Sequence, residues 1–87
     1  MEKLFIVCTL DCSFEYYEET IKKFVKEYGD GVVINYDLNK INEHKSHSFY
    51  KVTSLEAFAG IFDNQFAREW DKKNNCKDTV YKIELVE

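Results

Sequence analysis

The sequence has no proline and only three glycines among its 87 residues. Flexible linkers, collagen-like repeats and mucin-like stalks depend on these residues, so the composition excludes all three classes. The chain is 45% hydrophobic, 16% aromatic and 32% charged. These proportions are typical of a globular protein with a core rich in rings, and they predict a single domain over residues 1–87.

Long apolar runs are also missing. No stretch approaches the ~20 apolar residues of a membrane helix, and Asp11 follows the first apolar segment in place of the small-residue cleavage site of a secretory signal. The three cysteines, Cys8, Cys12 and Cys76, are an odd number without a repeated spacing, which argues against a secreted disulfide scaffold. We therefore expect a cytoplasmic protein with reduced thiols and no membrane partner.

Positive charge is in the minority. Sixteen acidic and twelve basic side chains give a formal charge of −4, whereas phosphate binding needs clustered cations. The predicted third strand, Ser48-Phe49-Tyr50-Lys51-Val52, also lacks the glycine and basic pattern of RNA-recognition modules. Nucleic acid is therefore not an expected partner.

Hydrophobic periodicity predicts four strands and two helices. The strands cover residues 3–10, 32–38, 47–52 and 79–86, and residues 39–46 are expected to form a loop. The first helix is predicted to begin after a Ser13 cap and to end at a left-handed Gly29 cap. The second is predicted to begin at Thr53, with Glu56 completing a capping box, and to run without interruption through Trp70.

This β-α-β-β-α-β order, with right-handed crossovers, predicts a ferredoxin-like α+β sandwich. Its antiparallel sheet would have the strand order 4-1-3-2, with two helices on one face. Alternation along the strands predicts that Ile34, Tyr81 and Ile83 face the helices.

The opposite sheet face is expected to have an apolar centre and a polar rim, the layout of an interaction surface. We predict that this face binds another protein or a second copy of the chain. Scattered surface apolar residues, which are common, are the alternative. The expected interface residues are Phe5, Val7, Val33, Phe49, Lys51 and Val80.

One end of the predicted sheet collects residues that can bind metal. They are Asp11, Cys12, His44, His47, Cys76 and Asp78. Two histidines and two cysteines are a candidate zinc set, but their spacing matches no familiar zinc motif. We interpret them as unrelated polar loop residues and predict neither a metal site nor a cofactor.

Asp11 suggests a further alternative. In topology and in an aspartate at the end of the first strand, the chain resembles the small ferredoxin-like nucleases of CRISPR adaptation. The resemblance implies a metal-dependent nuclease in which a dimer holds the metal between two copies. No companion motif, glycine-rich phosphate loop, G-x-S-x-G elbow or H-E-x-x-H motif accompanies Asp11, so we predict no catalytic residue.

The leading hypothesis is therefore a non-enzymatic, intracellular protein-binding domain that acts by contact. Compact acidic chains of this kind are common among phage and mobile-element inhibitors of host proteins, including anti-CRISPR proteins. A small nuclease using Asp11 is the alternative from another class, and a ligand-sensing module of the same fold is the third.

Overall fold

The computed structural model describes residues 1–86, which form four strands and three helices. The sheet order is β2-β3-β1-β4 and every neighbouring pair is antiparallel, which confirms the ferredoxin-like fold and the predicted strand order read from the other edge. No helix among these residues has the length and apolar character needed to cross a membrane. The elements are β1 (Glu2–Thr9), α1 (Phe14–Tyr28), β2 (Val33–Asn42), β3 (Lys45–Val52), α2 (Leu55–Ile61), α3 (Gln65–Lys73) and β4 (Lys77–Ile83).

Helix α1 begins as its sequence predicts and ends differently. The Ser13 hydroxyl accepts a hydrogen bond from the Tyr16 backbone N–H at 3.2 Å, which satisfies one of the free donors of the first turn. Gly29 ends the helix with a right-handed φ of −87°, so the predicted left-handed cap is wrong. A Cβ at Gly29 would lie 2.6 Å from the Val25 carbonyl oxygen, so close approach explains this glycine.

The predicted second helix is interrupted, so the fold has three helices where the sequence predicted two. Helix α2 ends at Ile61 and α3 begins at Gln65. Between them, the Asn64 side chain accepts a hydrogen bond from Ala67 N–H and donates one to the Ile61 carbonyl, both at 2.8 Å. An asparagine that satisfies the backbone of both flanking segments favours a helix boundary over a continuous helix.

The connection between β2 and β3 is a tight hairpin. The predicted loop over residues 39–46 is wrong, because β2 continues to Asn42 and β3 starts at Lys45. The Asn42 side chain accepts a hydrogen bond from the His44 N–H at 2.8 Å, an arrangement that stabilises short turns. Backbone pairing along the two strands thus extends through residues whose polar side chains had predicted a loop.

An irregularity near the start of β2 changes which side chains face the helices. Val33 pairs with Val52, whereas Asn35 pairs with Lys51, so the register shifts between them. The extra residue turns Val33 toward the core cluster around Val52 and leaves Ile34 exposed. The predicted orientations of Val33 and Ile34 are therefore both wrong, because a bulge interrupts strand alternation.

The orientation of β4 also differs from the prediction. Ile6 lies opposite Val80 and Phe5 lies opposite Tyr81. Since directly paired residues project to the same side of a sheet, Val80 is on the helix side, and Tyr81 and Ile83 are on the other. The sequence predicts the wrong orientation because β4 has apolar residues on both sides of the strand, so no single inward-facing side stands out.

The core lies between the sheet and the helices in two adjoining clusters. One is built on Leu4, Tyr50 and Phe58. The other contains Cys8 and Tyr17, and Cys8 is fully buried. The helices do not fill all of the space above the sheet.

Candidate functional site

A cavity of about 180 Å³ lies between the sheet and the three helices; we call it the helix-side cavity. Val80 and Phe66 line it and remain 45% and 52% exposed, so the cavity opens between α3 and β4. Its lining is predominantly apolar and aromatic. The lining residues are Ile6, Tyr17, Thr20, Ile21, Phe24, Tyr50, Phe58, Phe62, Phe66, Ala67, Trp70, Asp71, Cys76, Asp78 and Val80.

Aromatic rings build one end of this cavity. Phe24 of α1 stacks on Phe62, with centroids 4.7 Å apart and planes inclined by 19°. Phe58 meets Phe62 edge to face at 5.0 Å and packs against Tyr50 at the same separation. Rings from two helices and a strand therefore form an apolar pocket suited to a flat ligand.

Trp70 lies in the wall between α3 and α1. Its indole is 5.9 Å from the ring of Tyr16 and 6.2 Å from that of Tyr17, measured between centroids. The indole N–H is buried and has no hydrogen-bond partner within residues 1–86. A buried donor without an acceptor costs about 1–3 kcal/mol, so this N–H is a candidate donor to a ligand.

Thiols and carboxyl groups gather at the other end. The Cys8 and Cys76 sulfurs are 3.4 Å apart, and the Asp78 carboxyl lies within 4.8 Å of both. Strand register explains the cluster, because Cys8 of β1 lies directly opposite Asp78 of β4. Cys76 immediately precedes β4, and Asp71 lines the same cavity.

Burial disfavours charge at this end of the cavity. Asp78 and Asp71 are exposed as whole residues, but partial desolvation of their carboxyl groups raises the pKa of Asp78, and desolvation together with the nearby Asp78 raises the pKa of Asp71. The contact with Cys8, followed by burial, raises the pKa of the Cys76 thiol. Within residues 1–86, neither carboxylate forms an ion pair with a lysine, arginine or histidine. The cluster is therefore acidic and lacks a compensating cation.

The structure does not bring the residues considered as a candidate zinc set together as one group. Asp11 is exposed, and its backbone N–H donates to the Asn74 carbonyl at 2.8 Å. His44 Nδ1 lies 3.2 Å from the Cys12 carbonyl oxygen, whereas His47 contacts Phe5 on the side away from the helices. Within that set, Cys76 and Asp78 are the two residues whose potential ligand atoms join a candidate metal-binding group.

Their partner is Cys8, which lies outside the candidate zinc set considered from the sequence. Cys8 is indeed buried, but one of its neighbours is a second thiol. Its pairing with Asp78 joins residues 70 positions apart and depends on the register of β4. The sequence signal for this cluster is limited to Cys76 and Asp78, which the predicted topology places at one end of the sheet.

We call the side of the sheet away from the helices the open face. Four of the six predicted interface residues lie on it, while Val33 and Val80 lie on the helix side. Phe5 is the centre of an aromatic group on the open face, with ring centroids 5.1 Å from Phe49, 5.2 Å from His47 and 6.0 Å from Tyr81. The four predicted residues on this face are Phe5, Val7, Phe49 and Lys51.

No model of a known protein family matches the chain, and no curated protein sequence is significantly similar to it. Solved structures do share its fold. SnoaB from Streptomyces nogalater, described as a cofactor-independent oxygenase, has a TM-score of 0.64 and 7% identity, with 99% of this chain and 97% of that chain covered.

Two further structures extend this likeness. A protein of Nitrosomonas europaea, named for a proposed antibiotic biosynthesis monooxygenase activity, has a TM-score of 0.61 and 10% identity over 93% of this chain and 88% of its own. A dimeric ferredoxin-like protein from an uncultured marine organism has a TM-score of 0.60 and 15% identity over 98% and 95%. Identities this low show a shared fold.

These neighbours correct the functional predictions made from sequence. Nearly full-length matches to proteins named as oxygenases contradict the hypothesis of a phage or mobile-element inhibitor of the anti-CRISPR kind. They equally contradict the alternative of a nuclease built on Asp11. The expectation that the protein is not an enzyme is also wrong on this finding. The cavity depends on how three helices sit above the sheet, which local sequence patterns do not encode.

Proposed function

We propose that the protein is an oxygenase acting on a small, flat aromatic molecule bound in the helix-side cavity. The observation that carries this proposal is the cavity itself, with stacked rings at one end and an unpaired indole N–H in its wall. The shared fold with proteins named as oxygenases supports the reaction class.

Cavity size limits the substrate. An apolar cavity of ~150 Å³ holds one benzene molecule, so about 180 Å³ accommodates one aromatic ring with a small substituent. A second ring would extend through the opening beside Phe66 and Val80. We therefore expect substrates with one or two fused rings, and weaker binding of larger polycyclic molecules.

The polar groups suggest how such a ring is oriented. The Trp70 N–H can donate to an oxygen substituent, while the aromatic end packs against the ring. The Asp71 carboxyl, which also lines the cavity, can accept a proton from the substrate. The ring-lined walls keep water away from the resulting anion.

The electron balance of the reaction further limits the range of possible substrates. An oxygenase that works without a cofactor must take the electrons that reduce O₂ from the substrate itself. Conversion of a hydroxylated aromatic ring to a quinone by one O₂ satisfies this balance: one ring C–H bond and the hydroxyl O–H bond break, one oxygen atom becomes the second carbonyl, and the other leaves as water with both hydrogens. The substrate is therefore an electron-rich, hydroxylated ring system with an acidic O–H.

Oxygen labelling tests the proposal. Purified protein is incubated with one- and two-ring hydroxylated aromatics under ¹⁸O₂, and the product mass is measured. We expect incorporation of one labelled atom. Trp70→Phe, which keeps a ring but removes the N–H, should lower kcat/KM by about tenfold or more, whereas Tyr81→Phe on the open face should leave it unchanged.

Binding can be followed separately because Trp70 is the only tryptophan in the chain. A bound aromatic should quench or shift its fluorescence. If no compound in the panel changes this fluorescence and none incorporates label, the oxygenase proposal is wrong.

The open face supports a second element of the proposal, a homodimer. Its aromatic centre is exposed, with Phe49 at 47% and Tyr81 at 53%, and its rim includes both Lys51 and Asp37 on neighbouring strands. A two-fold axis through such a face lets each lysine approach a carboxylate of the other copy. One neighbour of the same fold is described as dimeric.

A further inference from the structure

We propose that Cys8, Cys76 and Asp78 form a binding site for a thiophilic divalent cation such as Zn²⁺, with one coordination position open to the helix-side cavity. The inference depends only on these three side chains and stands independently of the oxygenase proposal. It concerns a set of residues that differs from the histidine-containing set considered from sequence.

Geometry is the first support. Two sulfurs bound to one tetrahedral zinc at ~2.3 Å lie ~3.8 Å apart. The Cys8 and Cys76 sulfurs are 3.4 Å apart, so a separation of about 0.4 Å more, within reach of a small side-chain rotation, would admit the ion. The Asp78 carboxyl oxygen lies within 4.8 Å of both sulfurs and can complete a set of three protein ligands.

Charge is the second support. A carboxylate and two potential thiolates converge at the cavity, and no lysine, arginine or histidine within residues 1–86 forms an ion pair with Asp78. Asp71 adds another acidic group to the same lining. A divalent cation would neutralise the thiolates and interact favourably with both carboxylates.

The position of the cluster explains why a fourth ligand would come from the cavity. Cys8 is fully buried in β1 and approaches from the sheet, while Cys76 and Asp78 approach from the start of β4. Cys76 and Asp78 also line the cavity. Three protein ligands with one open position are the arrangement of reactive zinc sites, whereas closed sites use four. Binding displaces both thiol protons to solvent.

Cobalt substitution tests the site directly. Untagged full-length protein is reduced, handled without oxygen and titrated with Co²⁺, whose thiolate complexes give a charge-transfer absorption in the near ultraviolet. We expect this band to saturate at one ion per chain and to disappear when one equivalent of Zn²⁺ is added. Elemental analysis of the zinc-loaded protein should give the same stoichiometry.

The third cysteine provides a matched control. Cys76→Ser and Asp78→Asn should each weaken zinc binding at least ~10-fold, and Cys76→Ser should reduce the cobalt band, whereas Cys12→Ser should change neither. Cys76 and Asp78 are less buried than Cys8, so these variants are preferred to Cys8→Ser, and circular dichroism checks that each one folds.

Absence of the cobalt band in reduced protein would overturn the proposal, as would equal zinc binding by wild type and Cys76→Ser. Neither measurement uses an organic substrate or O₂, so failure of the metal site leaves the oxygenase test unaffected. Conversely, metal binding without oxygen incorporation would support this site and contradict the proposed function.

Discussion

The rings of Phe5 and Tyr81 face each other across β1 and β4, with centroids 6.0 Å apart and planes inclined by 33°. Phe5 also contacts Phe49 across β3 at 5.1 Å. Three neighbouring strands thus contribute to one continuous aromatic surface on the open face. A contiguous exposed apolar surface of this kind is a common feature of interfaces between subunits.

The homodimer proposal predicts that Phe49→Asp separates the two copies. A two-fold interface would place the new carboxylates close to each other in an apolar, partly desolvated region. We expect the dimer to weaken at least ~100-fold while the far-ultraviolet circular dichroism stays unchanged, because Phe49 points away from the core. Light scattering over a range of concentrations measures the change.

Leu55→Asp is the control for that experiment. Leu55 is 39% exposed at the start of α2, away from the open face, so its replacement should leave the dimer intact. Wild-type protein that remains monomeric at high concentration would contradict the proposed interface, and so would equal dissociation by both variants.

The orientation of Phe5 could be predicted from sequence, whereas that of Tyr81 could not. In β1, Leu4, Ile6 and Cys8 are all buried. Because this strand is central in the sheet, their alternation with the residues between them determines which side Phe5 faces. In β4, apolar residues occur on both sides of the strand, and every residue of this edge strand is exposed. The hydrophobic pattern therefore carries little information about its register.

The candidate site was harder to predict for a related reason. Its aromatic end requires α2 and α3 to be separate helices, and that separation depends on the side-chain hydrogen bonds of Asn64. Its polar end requires β4 to pair with β1 in one particular register. Both are tertiary features that local periodicity does not encode.

The start of α2 gives a second prediction, which compares adjacent residues. The sequence pattern predicted a cap at Thr53, but the Ser54 hydroxyl accepts the hydrogen bond from Ala57 N–H at 3.0 Å. Ser54→Ala should therefore lower the free energy of unfolding by about 1 kcal/mol, whereas Thr53→Ala should change it little. Urea unfolding of the two variants measures the difference, and an equal or reversed effect would reject the assignment.

The third prediction concerns alkaline stability. Tyr50 is 3% exposed, and burial, reinforced by Asp78, raises its pKa above the usual value of 10.0. Below that value the hydroxyl is protonated in both the folded and unfolded chains, so it contributes no pH dependence. Above it, the unfolded chain releases the proton while the folded chain retains it, and the free energy of unfolding falls as pH rises.

Tyr50→Phe removes this contribution. A group that is fully deprotonated in the unfolded chain and fully protonated in the folded chain lowers the free energy of unfolding by about 1.36 kcal/mol per pH unit. Between about pH 10 and about pH 11.5, the free energy of unfolding of Tyr50→Phe should therefore fall less steeply with pH than that of wild type, by up to this amount per pH unit. Tyr17, whose pKa burial also raises, would account for part of the remaining slope. Tyr81→Phe is the control, since Tyr81 is 53% exposed. Urea unfolding at several alkaline pH values gives the slopes; identical slopes for Tyr50→Phe and wild type would show that the buried hydroxyl does not retain its proton.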